Sequence, residues 1–191
     1  ASAKAVDELL DYCLEKELPL VLCTTGLTEE QLKRAEDASK RIPVLRSANM
    51  SLGVNLLLKL IQDAAKVLGN AGFDMEIVEK HHNQKKDAPS GTSREMGEIM
   101  AHALGKELKD VAVYGREGVS PREPGTIGYH SLRAGNIPSS HTVFFGGMGE
   151  RLEITHHSYN WECFARGACD CAAFLADKEP GFYTIKNVLN L

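Results

Sequence analysis

The chain has 191 residues, which is enough for one large domain or for one domain and part of another. Hydrophobic residues make up 43% and charged residues 25%, a globular balance that excludes a disordered chain. The formal net charge of −4 argues against a nucleic-acid partner, and the sequence holds no apolar run of about 18 residues that could span a membrane.

The first 50 residues alternate between helix and strand patterns. The predicted elements are a helix over 6–14, a strand over 20–23, a helix over 28–40 and a strand over 42–45. Thr28 and Gln31 have the spacing of a capping box, which fixes the start of the second helix. Helices and strands that alternate through short turns predict parallel strands.

The pattern changes after Met50. The predicted elements are helices over 52–68, 92–104 and 161–175, and strands over 73–80, 126–133, 141–145 and 151–158. The glycine-rich segment 146–149 predicts a hairpin turn between the last two strands. Because strands here follow one another without helices between them, we expect an α+β domain after a partial α/β domain.

The run Thr142–Phe145 is largely apolar, so at least one face of its strand should be buried against other residues. We expect sheet-to-sheet association between subunits, and cover from within the chain is the alternative. Five cysteines form an odd set without a framework spacing, which predicts reduced thiols and a cytoplasmic protein.

The segment 79–92 follows a predicted strand, precedes a predicted helix and carries two histidines and two lysines, which favour an anionic ligand. Ser90, Gly91 and Thr92 add backbone N–H donors at the positive end of the helix, and Gly91 lets a ligand approach the main chain. A carboxylate on these donors would have its charge balanced by Lys85, while a histidine exchanges a proton near neutral pH. The alternative is a solvated charged loop with an ordinary helix cap.

A metal site competes with this interpretation. His81 and His82 are adjacent, so on an extended segment they point to opposite sides, and the pair 156–157 has the same difficulty. Cys169 and Cys171 lie two apart in a predicted helix and do not share a face. The sequence also has no HExxH, CxxC or GxSxG motif, so we expect neither a metal nor a serine hydrolase.

Two further segments follow predicted strands, where open α/β sheets bind their ligands. These are Cys23–Gly26 and Ser47–Met50, which are candidate cofactor loops or simply turns. The segments 115–118 and 133–135 can orient a ligand or shape their loops, and sequence alone leaves that choice open.

The segment 81–92, HHNQKKDAPSGT, resembles the signature HHxxKxDAPSGT of the 4-hydroxy-tetrahydrodipicolinate (dihydrodipicolinate) reductase family. The other similar segments are GREG at 115–118, RAG at 133–135, GERLEITH at 149–156, TTG at 24–26 and AN at 48–49. The resemblance extends over essentially the whole chain, and its signature is long and specific.

The resemblance implies an oxidoreductase that uses NADH or NADPH to make tetrahydrodipicolinate in lysine and diaminopimelate biosynthesis. It implies that His81 is the acid/base residue and that Lys85 is a second proton donor and a substrate-binding cation. The matched positions that hold the substrate carboxylates are His82, Gly91 and Thr92. The matched positions that contact the nicotinamide cofactor are Cys23, Thr24, Thr25, Ser47, Ala48, Asn49 and Met50.

By the same resemblance, residues 1–50 and 163–191 form the remainder of a Rossmann-type dinucleotide-binding domain with a parallel sheet. Residues 51–162 form a substrate-binding domain whose mixed open sheet assembles a homotetramer. Two positions depart from the family: Cys23 stands where glycine is common, and Met50 stands where phenylalanine is frequent.

The family begins with a strand, a glycine-rich phosphate loop and a helix, but no GxGxxG or GxxGxxG precedes the first helix here. We therefore expect a reductase that lacks the start of its dinucleotide-binding domain, and sequence alone leaves open whether this chain is active by itself. The alternatives are a non-catalytic module that binds dicarboxylates and oligomerises, and a metal-dependent hydrolase that uses the paired histidines.

Overall fold

The computed structural model describes residues 2–191, and the chain divides into two units. Ala1–Asn55 and Glu162–Leu191 form the first unit, and Leu56–Trp161 form the second. The strands are β1 (Leu20–Leu22), β2 (Pro43–Arg46), β3 (Asp74–His81), β4 (Ala112–Tyr114), β5 (Ile127–Arg133), β6 (Ser139–Gly146), β7 (Arg151–Ser158) and β8 (Gly181–Tyr183). The helices are α1 (Val6–Lys16), α2 (Glu29–Ala38), α3 (Leu52–Ala64), α4 (Gly91–Ala103), α5 (Leu108–Val111), α6 (Glu162–Leu175) and α7 (Ile185–Leu189).

The first unit is built on a parallel sheet in the order β1–β2–β8. Helix α1 ends where Glu17 adopts a left-handed conformation with φ of 53°. Helix α2 begins at the predicted capping box, in which Thr28 and Gln31 exchange hydrogen bonds between side chain and backbone. The predictions of parallel strands and of this helix start are therefore confirmed.

The second unit is built on a mixed sheet in the order β4–β5–β3–β6–β7. Strands β4 and β5 run parallel to the central strand β3, and β6 and β7 run antiparallel to it and to each other. The predicted hairpin between β6 and β7 is confirmed, and Gly147 N–H donates to the carbonyl of Glu150 at 2.9 Å. The expected fold class, a parallel sheet together with an α+β mixed sheet, is confirmed.

Four short elements were not predicted, namely α5, β4, β8 and α7. Each has three to five residues, which is too short to display a helical or strand period. The predicted helix over 52–68 is α-helical only to Ala64 and continues as a π-helical segment over Ala65–Gly69.

The side chains of the central strand β3 point alternately to the two faces of the sheet, and this alternation positions the candidate site. Its odd-numbered residues are buried on one face of the sheet, and these are Met75, Ile77, Glu79 and His81. The even-numbered residues Glu76, Val78 and Lys80 point to the other face and are half-buried. A buried glutamate and a buried histidine therefore share one face at the carboxyl end of β3.

Candidate active site

The residues predicted to bind substrate lie where β3 ends and α4 begins. His81 is the last residue of β3 and pairs with Arg133, the last residue of the parallel neighbour β5. His82 and Lys85 follow in the connecting loop and are half-buried. Ser90 is the N-cap of α4, and Gly91 and Thr92 form its first turn. The structure therefore places all six of these residues on one strand–loop–helix junction.

A buried carboxylate lies beneath this junction. Glu79 is 0% exposed, and the Arg133 guanidinium donates to both of its oxygens, at 2.7 Å to Oε1 and 3.0 Å to Oε2. The backbone N–H of Ser90 also donates to Oε1, at 3.3 Å, and His81 bonds to Oε2 through Nδ1. Four donor contacts fix both oxygens of Glu79 in place.

These contacts keep Glu79 ionised despite its burial. Burial by itself raises the pKa of this carboxyl, but the hydrogen bonds from His81, Arg133 and Ser131 outweigh it and lower the pKa to about 2. At neutral pH the Glu79 carboxylate therefore only accepts hydrogen bonds. It follows that Nδ1 of His81 carries a hydrogen.

A second histidine completes the buried face. His141 on β6 is 1% exposed and lies opposite Glu79 in the strand register. Its ring packs edge-on to the ring of His81, with 5.2 Å between centroids. Burial and the charge of His81 lower the pKa of His141 to about 4, so His141 is neutral at pH 7.

Ser90 connects His141 to the start of α4. Its hydroxyl lies 3.1 Å from Nε2 of His141 and accepts the backbone N–H of Ser93 at 3.2 Å. The same residue thus caps the helix and anchors the histidine face. A Cβ added at Gly91, the next residue, would meet no atom within 4 Å, so the main chain there is open to a ligand.

The loop between β3 and α4 is held at several points. The Lys85 ammonium lies 2.9 Å from the carboxylate of Asp87, and this contact lowers the pKa of Asp87. Arg133 donates to the carbonyl of Asp87 at 2.7 Å, and Asn83 N–H donates to the carbonyl of Gly135 at 3.1 Å. The predicted 133–135 segment therefore orders the signature loop.

Glu79, His81 and His141 place one potential ligand atom each within 4.8 Å of one another. Sequence spacing missed this cluster because His141 comes from another strand. The site is nevertheless a poor fit for a cation, since both Glu79 oxygens already accept hydrogen bonds and the Arg133 guanidinium adds positive charge beside them. The arrangement suits a hydrogen-bonded histidine better than a metal ligand.

The predicted cofactor residues lie in the first unit, at one edge of its parallel sheet. Cys23, Thr24 and Thr25 follow β1, and Ser47–Met50 follow the neighbouring strand β2. Ser47 N–H donates to the carbonyl of Leu22 at 3.4 Å, which joins the two strand ends. Carboxyl ends of adjacent parallel strands are where open α/β sheets bind nucleotides.

The second of these loops is rigid. The Ser47 hydroxyl donates to the carbonyl of Asn49 at 2.7 Å, and the Asn55 side chain donates to the same carbonyl at 2.9 Å. A Cβ added at Gly167 of α6 would lie 1.7 Å from the Met50 carbonyl oxygen, so only glycine permits this packing. Among the predicted cofactor residues, Cys23, Thr25 and Ala48 are exposed.

Sequence reasoning left three residues of the site without a role, namely Glu79, Arg133 and His141. The spacing of Glu79 and His81 would have placed both on one face of a strand, so that pair was within reach of the sequence. The positions of Arg133 and His141 depend on which strands neighbour β3, and no sequence pattern supplies that order.

Comparisons with known proteins identify the family of this chain. The family model described as "Dihydrodipicolinate reductase, N-terminus" matches residues 1–50, and that described as "Dihydrodipicolinate reductase, C-terminus" matches residues 53–189. The 4-hydroxy-tetrahydrodipicolinate reductase of Syntrophotalea carbinolica is 46% identical over 98% of this chain and 75% of its own length. That of Alkaliphilus oremlandii is 47% identical over 98% of this chain and 76% of its own length.

A solved structure extends the comparison to the fold. The dipicolinate-bound dihydrodipicolinate reductase of Paenisporosarcina sp. TG-14 has a TM-score of 0.76 and 27% identity, covering 98% of this chain and 71% of that one. Within residues 2–191, no helix combines the length and apolar character needed to cross a membrane. On the two family models and these relatives, the chain belongs to the 4-hydroxy-tetrahydrodipicolinate reductase family of NAD(P)H-dependent oxidoreductases.

Proposed function

We propose that the junction of β3 and α4 binds the dicarboxylate 4-hydroxy-tetrahydrodipicolinate and that the chain reduces it to tetrahydrodipicolinate in lysine and diaminopimelate biosynthesis. The observation that carries the proposal is the clustering of His81, His82, Lys85 and the first turn of α4 on one junction. Cations and helix N–H groups that converge in this way suit carboxylates. Dipicolinate, named in the related solved structure, is a molecule of this class.

Each predicted residue has a distinct part in this proposal. The Lys85 ammonium neutralises one carboxylate, and its half-buried position between solvent and Asp87 lets it exchange partners. Backbone N–H groups at Gly91 and Thr92 receive the other carboxylate, with His82 and the Ser90 cap beside them. Because the two carboxylates meet different groups, the diacid is oriented as well as bound.

NADH or NADPH supplies a hydride when bound, and the loops of Cys23–Thr25 and Ser47–Met50 would hold its nicotinamide end. Loss of the substrate hydroxyl and a neighbouring hydrogen as water would give a conjugated imine, and addition of the hydride to this imine places negative charge on its ring. His81, with Lys85 as a second donor, delivers the proton that quenches this charge. Nε2 of His81 is the atom for this transfer, since Nδ1 is bonded to Glu79.

The proposal extends to the assembly and location of the protein. The face of the mixed sheet that carries Val78 and Phe144 supports a homotetramer, because these apolar side chains are only half-buried on long strands. Residues 1–50 and 163–191 serve the cofactor, and residues 51–162 serve substrate and assembly. The protein acts in the cytoplasm.

Substitutions at the junction test the proposed chemistry. His81→Gln and Lys85→Ala should each lower kcat by about 10²-fold or more, because each removes a proton donor. The KM for NADH or NADPH should change little, since neither residue belongs to the cofactor loops. Steady-state assays that follow nicotinamide absorbance with freshly generated substrate measure both constants.

Lys86→Ala is the matched control, because Lys86 is exposed in the same loop and makes no ion pair among residues 2–191. It should leave kcat unchanged. Full turnover in both His81→Gln and Lys85→Ala contradicts the assignment. Failure of the unmodified chain to oxidise either nucleotide, with dicarboxylate binding intact, favours the non-catalytic binding module instead.

A further inference from the structure

The buried carboxylate of Glu79 has no part in the proposed proton transfer, yet it is the most constrained polar group of the site. It is 0% exposed, so it is shielded from a ligand at the junction. Arg133 and the Ser90 N–H fix its orientation, and Arg133 is itself tied to the signature loop through the carbonyl of Asp87. A carboxylate held in this way shares Oε2 between the Arg133 guanidinium and Nδ1 of His81.

The contact with Glu79 determines which ring nitrogen of His81 carries the hydrogen. An ionised carboxylate only accepts hydrogen bonds, so the bond between Glu79 and His81 requires a hydrogen on Nδ1. Nε2 of His81 makes no hydrogen bond to any other residue in the range 2–191. His81 is 8% exposed, which leaves part of its ring accessible from the junction.

We propose that Glu79 is a positioning residue, which acts through His81 by fixing its hydrogen on Nδ1 and so reserving Nε2 for proton exchange with the substrate. The inference rests on the proposed function, because it assigns Glu79 a task within the same proton transfer. In serine-hydrolase triads a buried carboxylate holds a catalytic histidine by the same kind of contact. Here the carboxylate is clamped by an arginine from the neighbouring strand.

The charged and titratable groups around His81 are consistent with a positioning role for Glu79. Groups from several elements act on this histidine face, namely Glu79 on β3, Arg133 on β5, His141 on β6, His156 on β7 and Lys85 on the loop. Of these only Glu79 is negatively charged, and its carboxylate is the group bonded to Nδ1 of His81. The neutral ring of His141 packs edge-on against His81 and limits its rotation.

Glu79→Gln separates positioning from packing because the two side chains have the same shape. Oε1 accepts from Arg133 and the Ser90 N–H, and Oε2 accepts from Arg133 and His81. Of these donors only His81 can move its hydrogen to its other ring nitrogen, so the amide oxygen takes the place of Oε1 and the amide NH₂ faces His81. The NH₂ group then donates to Nδ1, which moves the hydrogen of neutral His81 to Nε2. We expect kcat to fall by about 10²-fold, with a much smaller change in the KM for the dicarboxylate.

Glu76→Gln is the matched control for loss of a clamped carboxylate. Glu76 lies on the same strand and is likewise clamped by Arg116, Arg122 and a histidine, but it points to the other face. We expect Glu76→Gln to leave kcat and the KM for the dicarboxylate unchanged.

A double-mutant cycle distinguishes failure of this inference from failure of the proposed function. If Glu79 acts through His81, adding Glu79→Gln to His81→Gln lowers kcat no further. If the two losses multiply, Glu79 has a separate role and the inference is wrong, while the function stands. If His81→Gln alone has full turnover, the proposed function fails first.

Nuclear magnetic resonance tests the inference without turnover. Long-range ¹H–¹⁵N spectra of the imidazole rings, with the His81 signals identified by their absence in His81→Gln, report which nitrogen carries the hydrogen. Neutral His81 should carry it on Nδ1 in the unmodified chain and on Nε2 in Glu79→Gln. A hydrogen on Nε2 in the unmodified chain would overturn the proposal.

Discussion

At the scale of single residues, the site is a contrast between ionised and neutral buried groups. Glu79 remains charged because donors surround it, whereas His141 is kept neutral by burial and by the charge of His81. The signature identifies His81 and Lys85 from sequence, and strand alternation places Glu79 beside His81. His141 was beyond prediction, because its place opposite Glu79 depends on an antiparallel register formed 62 residues later in the chain.

The neutral state of His141 predicts a stability that depends on pH. Its pKa is about 4 in the folded chain, below the ordinary value of 6.5, so the unfolded chain binds the proton more readily. The free energy of unfolding should therefore be fully present above pH 6.5 and decline as the pH falls from 6.5 toward 4. Melting temperatures measured by circular dichroism across this range give the slope.

Two variants test whether His141 causes this pH dependence of the melting temperature. His141→Gln should flatten it, although this variant is less stable overall because it disturbs a buried contact with Ser90. His102→Gln removes an exposed histidine from the end of α4 and is the control for loss of a histidine from the surface. Equal slopes in the unmodified chain and in His141→Gln would show that another group titrates.

At the scale of elements, prediction succeeded where a segment is long enough to display its period. Helices α1, α2 and α4 and strands β3, β5, β6 and β7 were all expected near their observed bounds. The five-residue helix α7 and the three-residue strands β4 and β8 are too short to carry such a signal. Their formation depends on neighbours that supply hydrogen bonds, as β5 does for β4.

The contact between α4 and the mixed sheet predicts the effect of one added methyl group. A Cβ at Gly97 would lie 1.7 Å from the hydroxyl oxygen of Tyr129, so Gly97→Ala must push the helix and sheet apart. We expect the free energy of unfolding to fall by about 1–3 kcal/mol, as for other overpacked cores. Urea denaturation followed by circular dichroism measures the loss.

Two comparisons make this prediction specific to the helix–sheet contact. Gly91→Ala adds the same methyl group to the same helix but meets no atom within 4 Å, so it should not destabilise the chain. Tyr129→Phe removes the nearest clashing atom, a buried hydroxyl without a hydrogen-bond partner among residues 2–191, and should recover part of the loss. A full loss in Gly91→Ala as well would show that the effect comes from the helix alone.

At the scale of the whole molecule, the change of pattern after Met50 predicted two architectures, and the sheets have the expected types. The order of the strands within each sheet was not predictable, because β3 enters between β5 and β6 through pairings distant in sequence. That insertion brings the ends of β3 and β5 together and so joins His81, Arg133 and the signature loop. The family signature locates the site residues of one segment, and the order of the strands brings residues from other segments next to them.

We propose that the β3–α4 junction binds a small dicarboxylate through Lys85 and the helix N-terminus. Isothermal titration calorimetry with pyridine-2,6-dicarboxylate measures this binding in the unmodified chain, in Lys85→Ala and in Lys86→Ala. We expect binding to the unmodified chain and to Lys86→Ala, and an affinity at least about tenfold weaker for Lys85→Ala, which loses a charged contact. Absence of binding, or equal affinity in all three proteins, would contradict it.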